Sequence, residues 1–273
     1  MNAARHIVDA LIEERCQHLR ARPRLWAALR PALYRALGYG KARAMADMLA
    51  PCSGFDAFER VSALLGLKLD CHGLEHVPKT GRLVVIANHP TGLADGVAVF
   101  DALKKRRPDL VFLANADALR VIPAGNDVII PVQWVLEKRS RATARATLAG
   151  LRQAMADERC IIMFPAGKLA ALTWSGLRDR PWEPSAVSLA RKFAAPIVPL
   201  QVRARNSALY YLFCLLNNEL RDITLFHELL NKEGHRFVMR FGAPVSPDDL
   251  PAGANAACAH VRRIVTGGLA RPG

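Results

Sequence analysis

The fold is decided by residues 84–96, VVIANHPTGLADG. The apolar run at the start of this stretch predicts a buried strand, the Asn-His-Pro-Thr-Gly turn stops it, and a new periodic segment opens at Asp95. A histidine and a carboxylate are therefore placed where a strand gives way to a helix. Because α/β proteins keep their chemistry at this edge of the sheet, His89 and Asp95 are candidate catalytic residues.

An imidazole and a carboxylate at this position can act together as a dyad. An imidazole titrates near neutral pH, and a carboxylate on one ring nitrogen would fix the tautomer and leave the other nitrogen free to accept a proton from a hydroxyl. A dyad without a serine suits a substrate that brings its own nucleophile. The alternative is that His89 is a turn histidine and Asp95 a helix-start carboxylate favoured by the macrodipole.

Strand and helix patterns alternate regularly after residue 67. Repeated β-α units predict an α/β fold with a mostly parallel, mixed sheet flanked by helices on both faces. Two prolines, Pro196 and Pro199, predict an edge or irregular strand for the run that contains them. The region 209–230 is mostly helical in pattern, and a short helix is predicted over 260–269. The predicted strands cover residues 67–71, 83–87, 110–113, 128–132, 160–164, 197–202 and 236–241, and the other predicted helices cover 95–105, 142–156 and 185–194.

Residues 1–66 have a helical pattern and predict an N-terminal helical cap on an α/β domain that spans 67–273. Arginines alternate with apolar residues between Arg20 and Arg35. A basic amphipathic helix of this kind can lie in a lipid interface, with Trp26 near the headgroups. It can equally be a cap that packs on the α/β domain and keeps its arginines in water.

The balance of charge points to an anionic partner. Among 273 residues, 38 Lys and Arg outnumber 24 Asp and Glu, which gives a formal charge of +14. Such a chain is attracted to a lipid surface, an acidic carrier protein or nucleic acid. The basic runs at 104–107 and 138–141 are not interleaved with aromatic residues, as grooves for single-stranded nucleic acid usually are. We therefore expect an anionic membrane surface as a partner and do not expect nucleic acid.

Cysteine spacing and the apolar runs bear on compartment and membrane topology. The six cysteines are scattered without a Cys-x-x-Cys pair, which argues against a zinc site or a disulfide framework. The first twenty residues lack the pattern of a secretory signal. The longest apolar runs are shorter than the ~20 residues that span a bilayer. These features predict a cytoplasmic protein that lies on the inner face of the cell membrane.

Two further junctions could bind an anionic ligand. Residues 161–168, IIMFPAGK, end a strand at a glycine and a lysine, a weak pattern for binding a phosphate or the phosphopantetheine of a carrier. Arg203 and Arg205 follow the proline-containing strand and could face an anionic headgroup. Alternatively these arginines are exposed and simply precede a helix capped by Asn206 or Ser207.

Taken together, these blocks resemble the glycerophospholipid and lysophospholipid acyltransferase superfamily. The resemblance covers residues 67–247 and rests on three segments in order: Asn88-His89 followed by Asp95, Phe164-Pro165-Ala166-Gly167, and Ile197-Val198-Pro199. The resemblance implies that His89 is the general base and that Asp95 orients it. It also implies that a lipid hydroxyl attacks an acyl thioester of coenzyme A or acyl carrier protein, with no metal and no covalent acyl-enzyme.

Three departures from the common pattern affect the expected acceptor. Five residues separate His89 from Asp95 where four are usual, so one extra residue must be absorbed, and we expect Gly92 to absorb it. Ala166 stands where a glutamate is usual, and Leu169 where phosphate-binding members have an arginine. The block that usually supplies an arginine between the first two segments has no clear counterpart around residues 128–133. These departures weaken glycerol phosphate as the acceptor.

With these departures, the sequence resembles the hemolysin-like branch of the superfamily. That branch shows His-x5-Asp, Phe-Pro-Ala-Gly, an Asp-Arg-Pro-Trp-like segment and a late Asn-Ser pair, matched here by residues 179–182 and 206–207. Some of its members O-acylate lyso-ornithine lipid.

The resulting hypothesis is an O-acyltransferase that moves a fatty acyl group from acyl-CoA or acyl carrier protein to the hydroxyl of a lyso-lipid, with no other cofactor. A catalytically silent lipid-binding or membrane-recruitment protein on the same fold is the alternative. A backbone N–H near the Asp95 helix start or the Gly167 turn is expected to hold the oxyanion. The predicted catalytic residues are His89 and Asp95, and the predicted substrate-binding residues are Asn88, Gly92, Phe164, Pro165, Gly167, Lys168, Arg203 and Arg205.

Overall fold

A seven-stranded sheet forms the centre of the molecule. The computed structural model of the chain describes residues 5–133, 140–167, 169–173 and 176–269. The strands of the central sheet are β1 (Lys68–His72), β2 (Leu83–Ala87), β3 (Val111–Asn115), β4 (Ile129–Val132), β5 (Cys160–Met163), β8 (Ile197–Arg203) and β9 (Arg236–Phe241), and a separate hairpin contains β6 (Ala171–Thr173) and β7 (Gly176–Arg178).

Helices cover both faces of this sheet. They are α1 (Ile7–Arg15), α2 (Gln17–Arg20), α3 (Pro23–Ala36), α4 (Tyr39–Leu49), α5 (Gly54–Leu65), α6 (Leu93–Leu103), α7 (Ala118–Val121), α8 (Arg141–Ala156), α9 (Ser185–Lys192), α10 (Ala208–Leu216), α11 (Asn218–Asp222), α12 (Leu225–Leu230) and α13 (Ala254–Arg263), and a π-helical turn, Ile264–Gly268, follows the last of them.

The strand order is β1-β9-β8-β2-β5-β3-β4. Neighbouring strands are parallel except β8 and β9, which run antiparallel. The predicted α/β fold with a mostly parallel, mixed sheet is therefore confirmed. Strand β2 lies between β5 and β8, all five of its residues are buried, and its carboxyl end leads directly to His89.

The side chains of β2 alternate between two cores. Val85 and Ala87 belong to the core that also contains Val8 and Leu11 of α1 and buried residues of α4, α5 and α6. Val84 and Ile86 belong to the second core, beneath helices α8, α9 and α13. A strand that is buried on both faces is typical of a parallel sheet, and it gives the loop that follows a rigid support.

The N-terminal helices pack on the sheet rather than standing apart from it. Arg15 of α1 pairs with Asp117 at 2.7 Å, and apolar residues of α1, α4 and α5 join the first core. Trp26 is buried and packs edge-on against Tyr34, which favours the alternative of a cap packed on the α/β domain over a place for Trp26 near lipid headgroups. The boundary predicted between residues 66 and 67 stays a prediction.

The prediction at Pro196 and Pro199 was an edge or irregular strand; the edge position was wrong, because β8 is a central strand, whereas its pairing with the chain after β9 is irregular, with an isolated bridge between Ile197 and Val245. The carbonyl of Pro199 accepts a hydrogen bond from the Gly242 N–H at 2.8 Å. The nitrogen of Pro199 faces the same side as that carbonyl, where β9 has already ended at Phe241. A central strand tolerates this proline because its missing N–H falls beyond the end of the neighbouring strand.

Three other differences concern the second half of the chain. The hairpin β6–β7 was not predicted. The helical region after β8 is divided into three helices, because the Asn217 side chain accepts hydrogen bonds from the N–H groups of Glu219 and Leu220 and so begins α11. The last helix, α13, begins earlier than predicted. None of the helices in the described part of the chain is long and apolar enough to cross a membrane.

Candidate active site

His89 and Asp95 meet at the carboxyl end of β2. Nδ1 of His89 lies 3.0 Å from Oδ2 of Asp95; the histidine side chain is 18% exposed and the aspartate is fully buried. The distance is that of a hydrogen bond, but the angle at Nδ1 is not that of an aligned one. Such loose geometry is common before substrate binds. With Nδ1 turned to the carboxylate, Nε2 is the nitrogen available to a substrate.

Asp95 is held by the first turn of α6. Its Oδ2 accepts hydrogen bonds from the N–H groups of Thr91 at 2.8 Å and Gly92 at 3.0 Å, and its Oδ1 accepts one from the Thr91 hydroxyl. The carboxylate therefore caps the helix and contacts the imidazole at the same time. The two alternatives for Asp95, a helix-start carboxylate and a partner of His89, are both realised in one side chain.

Gly92 makes the tight turn between the two residues possible. Its φ of 85° lies in the region that favours glycine, and a Cβ there would approach Cδ2 of Leu169 to 3.2 Å. The turn therefore depends on the absence of a side chain at this position. Pro90 precedes it and favours an extended conformation for His89.

The Phe-Pro-Ala-Gly segment lies against His89. The ring of Phe164 stacks on the imidazole of His89, with centroids 4.3 Å apart and planes inclined by 27°. Gly167, at a φ of 58°, closes the turn by donating its N–H to the carbonyl of Phe164. The chain then returns to the base, because the Ala170 N–H donates to the carbonyl of His89 at 3.0 Å.

A third segment, residues 179–182, contacts the backbone of His89; the sequence had given it no role. The N–H of His89 donates to Oδ1 of Asp179 at 3.3 Å, and the other carboxylate oxygen of Asp179 accepts a hydrogen bond from the indole of Trp182. Burial raises the pKa of Asp179, and these two donors oppose the rise in part. The match of residues 179–182 to an Asp-Arg-Pro-Trp segment was the signal that could have indicated this contact.

The other predicted substrate-binding residues bond to other parts of the chain or are exposed to solvent. Both polar atoms of the Asn88 side chain bond to the backbone of Val202, at 2.8 and 2.7 Å, and so tie the ends of β2 and β8 together. The carbonyl of Pro165 accepts the Glu183 N–H. Arg203 is exposed and donates to Gln201 at 2.9 Å, and Arg205 is exposed. Lys168 lies outside the described residues, and the binding roles of all these side chains stay predictions.

Several backbone donors near the base already have partners. The N–H groups of Thr91 and Gly92 bond to Asp95, and the N–H of Gly167 bonds to Phe164. The expected oxyanion donor is therefore not one of these three in the state that the structure shows. Within the described part of the chain, the side chains of His, Cys, Asp and Glu do not form a group of three or more that could hold a metal ion.

Comparisons with known proteins agree with this fold. A family model described as Acyltransferase matches residues 68–203. Two proteins named lyso-glycine lipid O-acyltransferase are similar to this chain: that of Phocaeicola vulgatus is 28% identical over 199 residues, covering 70% of this chain and 69% of its own, and that of Bacteroides thetaiotaomicron is 25% identical over 198 residues, covering 70% and 71%.

A solved structure shows the same architecture. The 1-acyl-sn-glycerophosphate (LPA) acyltransferase PlsC from Thermotoga maritima aligns with a TM-score of 0.51 over 80% of this chain and 81% of its own, at 14% identity. The fold and the family match together define an acyltransferase. The chain belongs to the glycerophospholipid acyltransferase superfamily, which confirms the resemblance seen in its sequence.

Proposed function

We propose that this protein is a peripheral membrane O-acyltransferase that moves a fatty acyl group from an acyl thioester to the hydroxyl of a lyso-lipid. The observation that carries the proposal is the contact of His89 Nδ1 with the buried Asp95 carboxylate, which leaves Nε2 for the substrate. The donor is acyl-CoA or acyl carrier protein. The relatives' names make lyso-glycine lipid the first acceptor to test, and lyso-ornithine lipid is the second.

The reaction needs one proton carrier and no covalent enzyme intermediate. Nε2 of His89 takes the proton of the lipid hydroxyl while that oxygen attacks the thioester carbonyl, and Asp95 stabilises the imidazolium that forms. The tetrahedral intermediate collapses, the C–S bond breaks, and the imidazolium returns its proton to the leaving thiolate. The products are an ester and a free thiol.

Phe164 and Asp179 keep the base in position during this cycle. The stacked ring of Phe164 limits the tilt of the imidazole, while Asp179 holds the backbone of His89 from the other side. General bases depend on such placement, because a displacement of about 1 Å can cost about 100-fold in rate.

A transfer assay tests the proposal. Purified protein is incubated with radiolabelled acyl-CoA or acyl carrier protein and with a panel of lyso-lipids, and both the ester and the released thiol are measured. We expect equal amounts of the two products with at least one acceptor, and a loss of about 10²–10⁴-fold in turnover for His89→Ala. Lipid binding without transfer from either donor would support the silent lipid-binding alternative instead.

A further inference from the structure

Helix α10 exposes leucine side chains to solvent. Its sequence, ALYYLFCLL, has no charged residue. Leu212, Leu215 and Leu216 are 49%, 79% and 64% exposed. Spacings of three and four residues place these side chains on one side of the helix. We call these three residues the α10 patch; contiguous apolar surface of this kind marks a site of contact with another molecule or a membrane.

The opposite side of α10 is firmly attached to the protein. Tyr210 is buried, and Ser207 caps the helix by accepting the Tyr210 N–H. The Ser207 hydroxyl and N–H donate to Glu228, which pairs with the buried Lys232 at 3.0 Å. Because the helix is anchored in this way, the exposed leucines are held in a fixed orientation.

The α10 patch lies at the same edge of the sheet as the catalytic pair. Helix α10 begins a few residues after Val202, whose backbone is bonded to Asn88 beside the base. Burial raises the pKa of Cys214 in α10, and the charge of Arg180 opposes that rise in part, so Arg180 lies near the helix. Arg180 directly follows Asp179, the residue bonded to the His89 backbone.

Two exposed arginines lie near α10. Arg180 and Arg205 are exposed, and Arg205 acts electrostatically on Tyr211 of the helix. Arg221, which acts on Tyr210, is paired with Asp222. An apolar helix face flanked by arginines on a chain of charge +14 matches a bilayer that contains anionic lipids, because the leucines enter the acyl boundary while the guanidinium groups reach the headgroups.

A groove adjoins α10 at its carboxyl end. It has a volume of about 430 Å³ and is lined by His18, Leu19, Ala21, Arg22, Asn217 and Glu219. Asn217 directly follows the helix, and the groove does not include His89 or Asp95. Helix α3 also exposes two leucines, Leu25 and Leu29.

We propose that the α10 patch is the surface by which this protein docks on an anionic phospholipid bilayer. Its purpose rests on the proposed function, since docking at this edge would bring a membrane-bound acceptor to His89. The docking itself does not rest on the proposed function, because binding to vesicles can be measured without any substrate.

Vesicle flotation tests the proposal directly. The full chain is mixed with vesicles of phosphatidylcholine alone or of equal parts phosphatidylcholine and phosphatidylglycerol. The double variant Leu215→Glu/Leu216→Glu is compared with Leu148→Glu, which also adds a charge at an exposed leucine of an arginine-bearing helix, α8. We expect the wild type and Leu148→Glu to float with the anionic vesicles, and the double variant to bind about tenfold less or weaker still.

Several results would overturn the proposal. Equal flotation of the double variant and the wild type would do so, as would a wild type that binds neither kind of vesicle. A double variant that floats normally but loses only transfer from acyl carrier protein would assign the patch to that protein. Should the glutamates impair folding, Leu215→Ser/Leu216→Ser removes the same apolar contact. Flotation without any acyl transfer would refute the proposed function and leave the docking surface intact.

Discussion

The carboxylate of Asp179 accepts a hydrogen bond from the backbone N–H of His89 at 3.3 Å, although 90 positions separate the two residues in sequence. The backbone carbonyl of Asp179 in turn accepts a hydrogen bond from Arg262 of α13 at 2.8 Å. His89 is thus contacted from three directions: at its ring by Asp95 and by the stacked Phe164, and at its backbone by Asp179.

Asp179 acts as a positioning residue, so its removal should affect turnover more than substrate affinity. We expect Asp179→Ala to lower kcat by up to about 100-fold with little change in KM, because His89 loses its rear support. Asp179→Asn should recover part of the activity, since its amide oxygen can still accept the His89 N–H, while its NH2 group cannot accept the indole N–H of Trp182. Steady-state kinetics of both variants check this; equal losses in the two would argue against the positioning role.

Asp95→Asn should reduce both turnover and stability. The amide can neither hold the neutral imidazole in the required tautomer nor stabilise the imidazolium that forms, so kcat should fall by up to about 10⁴-fold. Weaker capping of α6 should cost about 1 kcal/mol in the free energy of unfolding. Thr91→Val is the matched control, because it removes the hydroxyl bond to Asp95 and leaves the His89 contact in place. If Thr91→Val lost as much turnover as Asp95→Asn, the catalytic role of the pair would be refuted.

Substitution by alanine should have opposite effects on stability at two glycines of the same segment. At Gly92, with φ 85° and Leu169 close by, we expect Gly92→Ala to destabilise the fold by about 1–2 kcal/mol and to lower activity. Gly96 is helical and a Cβ there meets no atom within 4 Å, so Gly96→Ala should stabilise by about 0.5–1 kcal/mol. Urea unfolding measures both; similar effects would contradict the strained turn.

Glu228→Gln should strongly destabilise the protein, because it leaves the ammonium of Lys232 buried without a charge partner. The expected loss is about 3–5 kcal/mol in the free energy of unfolding. Burial alone would raise the pKa of Glu228, but the hydrogen bonds from Ser207 and the charge of Lys232 outweigh it, so the pKa lies below its ordinary value of 4.5.

The pH dependence of that loss has a definite sign. A folded pKa below the unfolded value means that the ionised carboxylate stabilises the fold above about pH 4.5, and that this contribution is lost as the pH falls through the folded pKa. The difference in stability between wild type and Glu228→Gln should therefore shrink on acidification. Denaturant unfolding at several pH values checks this, and a difference that grew at low pH would contradict it.

Local sequence patterns predicted the elements around the site well. Residues 83–87 and 236–241 are strands with the predicted bounds. Short apolar runs between turn residues usually form strands in an α/β chain. The sequence also indicated the contact of His89 with Asp95, because a short turn between a strand and a helix keeps the two side chains close together.

Other features depend on tertiary contacts that no local pattern contains. The bond between Asp179 and His89 requires a distant loop to fold back beside β2. The central position of β8, despite Pro199, depends on where β9 ends. The hairpin β6–β7 has strands of three residues each, too short for a periodic pattern. The exposure of Leu215 could not be predicted either, because an apolar helix is by default expected to be buried.

The two hydrogen bonds between Asn88 and Val202 join the loop that carries the base to the strand that leads into α10. These bonds couple the position of the loop to that of the strand before α10, so a helix resting on a bilayer would fix the height of the imidazole above the lipid phase. The enzyme would then select acceptors by the distance of their hydroxyl group from the acyl region of the bilayer. Such an enzyme would discriminate between lipids by depth as much as by headgroup chemistry.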